Sequence, residues 1–189
     1  MIKLHDIASG SKGNACLIYN DKTLILIDMG LTKVRLCAGL AEIGKKIEDI
    51  DFALFTHDHV DHIAGEKFID INKKYALEGT ITLQKANILE NYKEYFFNEF
   101  KITPLKTSHD AINPCGFLIV ENDEKLVYMT DTGKILKKSL ALMENADYYF
   151  IESNHDLDML NNSGRPRVLI NRIAESKGHL SNEDSAYYM

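Results

Sequence analysis

Apolar and polar positions divide this chain into short apolar runs separated by polar, often glycine-bearing, turns. Residues 2–8 and 15–20 read as strands, and the Ser9–Asn14 segment between them is small and polar, as a tight turn requires. Thr23–Ile27 is a nearly continuous apolar run, the pattern of a strand covered on both faces. Thr32 stands where a helix cap belongs, ahead of Leu36, Leu40 and Ile43 on one stripe that stops near Gly44. A strand over 52–56 follows, then a helix from near Ile63 to about Tyr75, a short strand over 80–84, and a helix over 85–97 with Leu89, Tyr92 and Phe96 on one face. In Lys101–Thr107, Pro104 marks an edge strand or a bulge. Strands over 116–121 and 125–130 flank a hairpin turn at Asn122-Asp123-Glu124. The remainder predicts a helix over 135–143, a strand over 147–151 and helices over 156–162 and 166–177, with Pro166 in the first turn of the latter. Ser181 is placed to cap a last helix, with Asp184 three positions on. No repeat, low-complexity segment or linker interrupts the pattern, so residues 1–189 read as a single domain.

Composition adds limits. A chain of 189 residues supports one good core and is short for two. Its 45% apolar and 26% charged residues are ordinary for a globular protein, and no apolar run reaches membrane-span length. The start, Met1–His5, has no basic region followed by an apolar core, so no secretion signal is expected. Cys16, Cys37 and Cys115 are odd in number and widely spaced, as small hydrophobes in a reducing compartment would be, and a cytoplasmic location follows as the default. The net charge of -6 argues against gripping nucleic acid by bulk electrostatics. Bound divalent cations would offset that locally. Arg165, Arg167, Arg172 and Lys177 read either as a second contact region or as a solvated helix face.

The chemistry concentrates at Thr56-His57-Asp58-His59-Val60-Asp61-His62, directly after the predicted strand. Imidazoles and carboxylates are costly to bury unless hydrogen bonds or a metal offset their desolvation, and this mixture suits zinc or a first-row relative. The position of other polar residues reinforces the point. His57, His109, Asp131 and Glu152 each follow an apolar run within a residue or two of its end. Functional groups gather beyond the carboxyl ends of strands in covered sheets, so residues distant in sequence can meet at one rim.

His57-x-His59-x-Asp61-His62 after a hydrophobic strand resembles the signature of the metallo-β-lactamase fold. Ser9–Asn14, Ile27-Asp28-Met29-Gly30, His109-Asp110-Ala111, Thr130-Asp131-Thr132-Gly133, Glu152–Asp156 and Gly178-His179-Leu180-Ser181-Asn182 follow in the order of its WalJ (YycJ) branch, whose members are treated as metal-dependent nucleases. The resemblance implies an α/β fold, an αββα sandwich of two mixed β-sheets flanked by helices. It also implies two divalent metal ions, zinc or manganese. His57, His59 and His109 would hold one, Asp61 and His62 the other, and Asp131 would bridge them. Two ions about 3.5–4 Å apart would clamp an oxyanion and lower the pKa of a shared water, whose hydroxide is the expected nucleophile. His179 resembles the histidine that contacts the scissile phosphate or leaving group. His155 reads equally as an assistant or a structural turn histidine, and Asp58 as an orienting residue or a hydrated loop carboxylate. Ser9, Ser11, Lys12, Asn154 and Ser181 are the candidate substrate contacts; for Ser9–Asn14 the bland alternative is a plain turn.

One departure stands out. The resemblance places a final histidine ligand after one more strand downstream of Gly178–Ser181, whereas no histidine follows His179 and the sequence reaches Met189 first. Weaker occupancy of the second metal position is expected, together with an exposed edge that a second copy or a completing partner would cover. The leading expectation is a phosphodiester hydrolase, most simply an exonuclease-like enzyme acting on DNA, with no membrane partner. The alternatives are a small-molecule phosphodiesterase, a thioesterase or lactonase, and a non-catalytic metal-stabilised regulatory module.

Overall fold

The computed structural model describes residues 1–80 and 86–189. Strands β1 (Lys3–Ala8), β2 (Ala15–Tyr19), β3 (Leu24–Ile27), β4 (Phe52–Phe55), β5 (Lys74–Leu77) and β6 (Asn87–Leu89) form one sheet in chain order. Pairing is antiparallel from β1 to β3 and parallel from β3 to β6. The second sheet runs β11 (Tyr148–Ile151), β10 (Glu124–Met129), β9 (Cys115–Glu121), β8 (Phe100–Lys106) and β7 (Tyr95–Phe97), with only the β10–β11 pair parallel. Helix α1 (Lys33–Glu42) covers the first sheet and α3 (Lys137–Met143) the second. The short helix α2 (Val60–Ile63) carries part of the histidine motif, and α4 (Leu157–Asn161), α5 (Arg167–Ala174) and α6 (Asn182–Tyr188) complete the chain.

The alternation of side chains along each strand builds the layers. Ile25, Ile27 and Leu54 point into the sheet–sheet core with Phe117 and Ile119, while Leu24, Leu26, Ala53 and Phe55 pack under Leu36 and Leu40 of α1. Strands β3 and β4 are thus apolar on both faces because both are covered. Thr32 caps α1 by accepting from Arg35 N, and the Asn122 turn at φ 53° joins β9 to β10. Ser181 caps α6, accepting from Asp184 N.

Three expectations fare differently. The helix over 63–75 is instead α2, two single 3₁₀ turns at Glu66–Phe68 and Ile71–Lys73, and strand β5. Gly65 packs where a Cβ would meet Leu31 O, and Asp70 accepts from Asn72 N, so neither position continues a helix. The helix over 85–97 is replaced by β6 and β7, with Tyr92 at φ 65° between them. The strand over 80–84 lies, apart from Thr80, outside the described residues. Pro104 sits where β8 has run past its pairing with β7, whose register ends at Ile102, so its missing N–H faces a locally open edge.

Candidate metal centre

The polar groups converge at one end of the two sheets, beyond β3, β4, β8, β10 and β11. Main chain fixes the histidine loop there. Asn14 N donates to Asp61 O at 2.8 Å, Gly30 N to Asn14 O at 2.9 Å, and Met29 N to His62 O at 2.7 Å. Gly30 is required by this approach, since a Cβ on it would lie 1.6 Å from Asp61 O. Two strands leave the sheets through residues in the left-handed region, Asp28 at φ 61° and Asp131 at φ 48°. Such conformations cost about 1–3 kcal/mol and persist where surrounding structure holds them.

Hydrogen bonding sets the ring tautomers. Asp28, fully buried, accepts from Thr56 N, from Thr56 Oγ1 and from His62 Nδ1, each at 2.8 Å. The only Thr56 hydroxyl proton is spent on Asp28, so Thr56 Oγ1 accepts from His57 Nδ1 at 2.9 Å. His109 Nδ1 donates to Gly178 O at 3.0 Å, and His59 Nε2 to Asp110 O at 3.3 Å. Each imidazole therefore presents its other nitrogen as a lone pair. His57 Nε2 is buried and has no hydrogen-bond partner. The lone pairs of His59 Nδ1 and His109 Nε2 face each other at 3.2 Å. His62 Nε2 lies 3.2 Å from Asp131 Oδ2, with Asn14 Nδ2 at 3.0 Å. Facing acceptors repel unless a cation lies between them, so this donor set fits divalent ions.

The protonation tendencies agree. Burial drives the His57 pKa down to about 2, keeping that ring neutral. Burial also lowers the His109 pKa. Burial opposes protonation of His62 too, yet Asp28 and Asp131 outweigh it and raise its pKa to about 10. Burial would raise the Asp131 pKa, but the His62 contact holds it well below the usual carboxylate range. Positive charge is favoured at this point, whether a proton or a metal supplies it. Groups with donor atoms close enough to share an ion are His57–His59–His109, His57–His62–Asp131 and His109–Asp131–His179.

The other sequence candidates occupy varied positions. Asp61 lines the cavity with Oδ2 3.8 Å from His62 Nε2, but it joins none of those groups among the described residues. His179 Nδ1 lies 2.5 Å from Glu152 Oε1 and 3.4 Å from Asp131 Oδ1. Asp58 Oδ1 accepts from Ile112 N at 2.9 Å, pinning the loop after His109 rather than lining the cavity. Both ring nitrogens of His155 are buried without a partner, and it lines no part of the cavity among the described residues. Ser9, Ser11 and Asn154 do line it, while Lys12 is exposed elsewhere and Ser181 spends its hydroxyl on Asp184 at 2.8 Å.

Sequence reasoning assigned no role to Asp28, Thr56 or Asn14, and it placed Glu152 at the rim without giving it one. An acidic residue directly after the Thr23–Ile27 run was the available signal for Asp28. Glu152 has one oxygen on His179 and accepts from Thr132 N at 3.0 Å and Asn154 Nδ2 at 3.2 Å. His59, Asp61, His109, Asp131, Glu152 and His179 line a cavity of 680 Å³ to which the Ser9–Ser11 turn and α5 also contribute, while His57 and His62 lie buried behind it.

Comparison with known proteins shows the family of the chain. The family described as "Beta-lactamase superfamily domain" matches residues 23–188. The exodeoxyribonuclease WalJ of Streptococcus pneumoniae is 34% identical over 200 aligned positions, covering 97% of this chain and 74% of that protein. The exodeoxyribonuclease YycJ of Bacillus anthracis is 32% identical over 197 positions, with the same 97% and 74% coverage. The crystal structure of the metallo-beta-lactamase fold protein YhfI from Bacillus subtilis superposes with a TM-score of 0.71 at 18% identity, over 100% of this chain and 81% of that one.

Proposed function

The chain belongs to the beta-lactamase superfamily, and from that premise we propose that it is a metal-dependent exonuclease hydrolysing the phosphodiester backbone of DNA. The observation that carries the metal-dependent part is the buried, unpartnered His57 Nε2 among rings whose tautomers all leave a free nitrogen. The choice of DNA rests on the exodeoxyribonuclease relatives. His57, His59 and His109 would hold one divalent ion, and His62 and Asp131 would hold a second with Asp61 at its edge. The imidazole-rich set suits zinc, and manganese is the competitor where carboxylates predominate. Divalent ions in such a site supply Lewis acidity toward a phosphoryl oxygen and make a water acidic enough to attack near neutral pH.

The chain's own residues do the rest. Asp28 and Thr56 hold His62 and His57 in the tautomers that ligation needs. Burial resists protonation of His179, but the Glu152 hydrogen bond outweighs it and raises the pKa. Its Nδ1 is committed to Glu152, which leaves Nε2 to donate a proton toward the departing oxygen. Glu152 is itself held by Thr132 N and Asn154, so the imidazole is oriented before substrate arrives. Ser9 and Ser11 also line the cavity and offer hydroxyls there.

The test is hydrolysis of end-labelled linear DNA, closed circular DNA and RNA by protein stripped with chelator and reloaded with zinc or manganese. Metal-restored release of nucleotides from linear DNA, with the circle spared, is the expected result. A fully loaded protein that leaves every nucleic acid intact but hydrolyses bis-p-nitrophenyl phosphate would replace this reading with a small-phosphodiester hydrolase, which the net charge of -6 favours as the second choice.

A further inference from the structure

The side chain of Asn14 faces two ways. Toward the Ser9–Asn14 turn, its Oδ1 accepts from Gly10 N at 2.8 Å and its Nδ2 donates to Gly10 O at 3.2 Å. A backbone N–H can only donate, which fixes the amide oxygen on that side. Toward the metal centre, the same Nδ2 lies 3.0 Å from His62 Nε2 and 3.3 Å from both Asp61 O and Asp61 Oδ2. His62 Nε2 and Asp61 Oδ2 are 3.8 Å apart, so one amide nitrogen bridges the two side chains assigned to the second ion. Asp61, which joins none of the three donor groups, is engaged by Asn14 instead. His62 Nδ1 is spent on Asp28, which leaves one lone pair at Nε2. That lone pair can accept from Asn14 or bind a cation, but not both. The turn depends on the same amide. Between Ala8 and Ala15, where β1 and β2 pair, Gly13 N donates to Gly10 O at 3.0 Å, and the two Asn14 contacts complete the closure. Ser9, Gly10, Ser11 and Asn14 all line the cavity.

We propose that Asn14 competes with the second divalent ion for His62 and Asp61, so that binding there breaks the Asn14 contacts and loosens the Ser9–Ser11 turn lining the cavity. The inference rests on the metal-dependent reading. It adds which residue weakens the second position and how filling that position reaches the substrate side of the cavity. The main chain of Asn14 takes no part in the competition: its N–H donates to Asp61 O and its C=O accepts from Gly30 N. The side chain can therefore swing while the socket under His62 keeps its shape. A hydrogen bond exchanged for a metal–nitrogen bond lowers the net gain of binding by the worth of that hydrogen bond.

The experiment is a calorimetric titration of chelator-stripped protein with zinc, paired with hydrogen exchange of the segment spanning residues 8–16. Wild-type protein should bind one ion tightly and a second more weakly. Asn14→Ala should leave the first unchanged and tighten the second about three- to tenfold, the worth of one hydrogen bond. Asn14→Asp should tighten the second further, because a carboxylate then faces the ion while one oxygen still accepts from Gly10 N. In wild-type protein the Gly10 amide should exchange faster after the second equivalent but not after the first. In Asn14→Ala it should exchange fast throughout. A second equivalent weakened by Asn14→Ala, with the first unchanged, would overturn the proposal and make Asn14 a support of the site. So would wild-type affinities in both variants, or Gly10 protection that rises on loading. Should the melting curve show Asn14→Ala unfolded, Asn14→Asp and the wild-type exchange pattern decide the matter. Protein that binds two ions and shows none of these shifts defeats only the competition. Protein that takes up neither zinc nor manganese defeats the metal-dependent reading and the competition with it.

Discussion

The Glu152–His179 contact, at 2.5 Å, is where one side chain tunes another in this molecule. His179→Ala is expected to keep most bound metal by elemental analysis while lowering turnover by about 10²–10⁴, the usual range for a positioned acid. Glu152→Gln should fall in the same direction by less, because the amide still accepts from Thr132 N but no longer favours the imidazolium. Wild-type turnover in either variant would remove the pair from the mechanism. A second residue-scale pair lies away from the cavity: Lys74 and Glu66 form a buried ion pair, 4% and 8% exposed at the side chain. Lys74→Ala strands a carboxylate in the core and should cost about 3–5 kcal/mol in denaturant melts, whereas the paired change Lys74→Met with Glu66→Leu should cost far less. The histidines were legible in the sequence because several donors in six positions have few structural uses. Asp28 was not legible, because a lone carboxylate after an apolar run does not reveal that three donors converge on it.

At the scale of elements, the junction of β3 with α2 is the least tolerant. Gly30→Ala would push a methyl group into Asp61 O, and neither backbone can yield without moving His62. A loss of about 1–3 kcal/mol or more is expected by thermal melting, with reduced metal uptake. Gly44→Ala removes a residue at φ 70° with open space around it, so it should cost stability without affecting metal uptake. Most strands were readable because burial on both faces, as in β3 and β4, leaves unbroken apolar runs. The two missed regions have a common cause. Residues 85–97 are rich in good helix formers, but Leu89 and Phe97 each anchor a three-residue strand in the sheet–sheet core, too short for a period of two to show. Phe96, assigned to a buried stripe, is 76% exposed because it alternates with Phe97. Tertiary pairing overrode local preference in both regions.

For the whole molecule, the site joins the two halves of the sandwich. Asp28 and the 57–62 loop come from the first sheet, and His109, Asp131 and Glu152 from the second. Ions held between them would bind the folded state alone. Chelation should therefore lower the melting temperature, and each metal at about 100 times its Kd should restore about 2.7 kcal/mol. Calorimetry over a metal titration checks this, and a melting curve indifferent to chelator would mean that the donors hold no ion. The meeting of distant residues at one rim was legible from their positions at strand ends, whereas the face shown by each ring was not, since it depends on carbonyls such as Gly178 O, 69 residues from His109. The frame beneath those rings is woven from peptide groups: Asn14 to Asp61, Gly30 to Asn14, Met29 to His62. Every residue but proline carries the same amide and carbonyl, so, Gly30 apart, the frame is indifferent to most of the alphabet. Individual donors can drift, and the metal preference with them, while the socket keeps its shape; substrate preference is then free to diverge on the helical wall, where side chains alone make the surface.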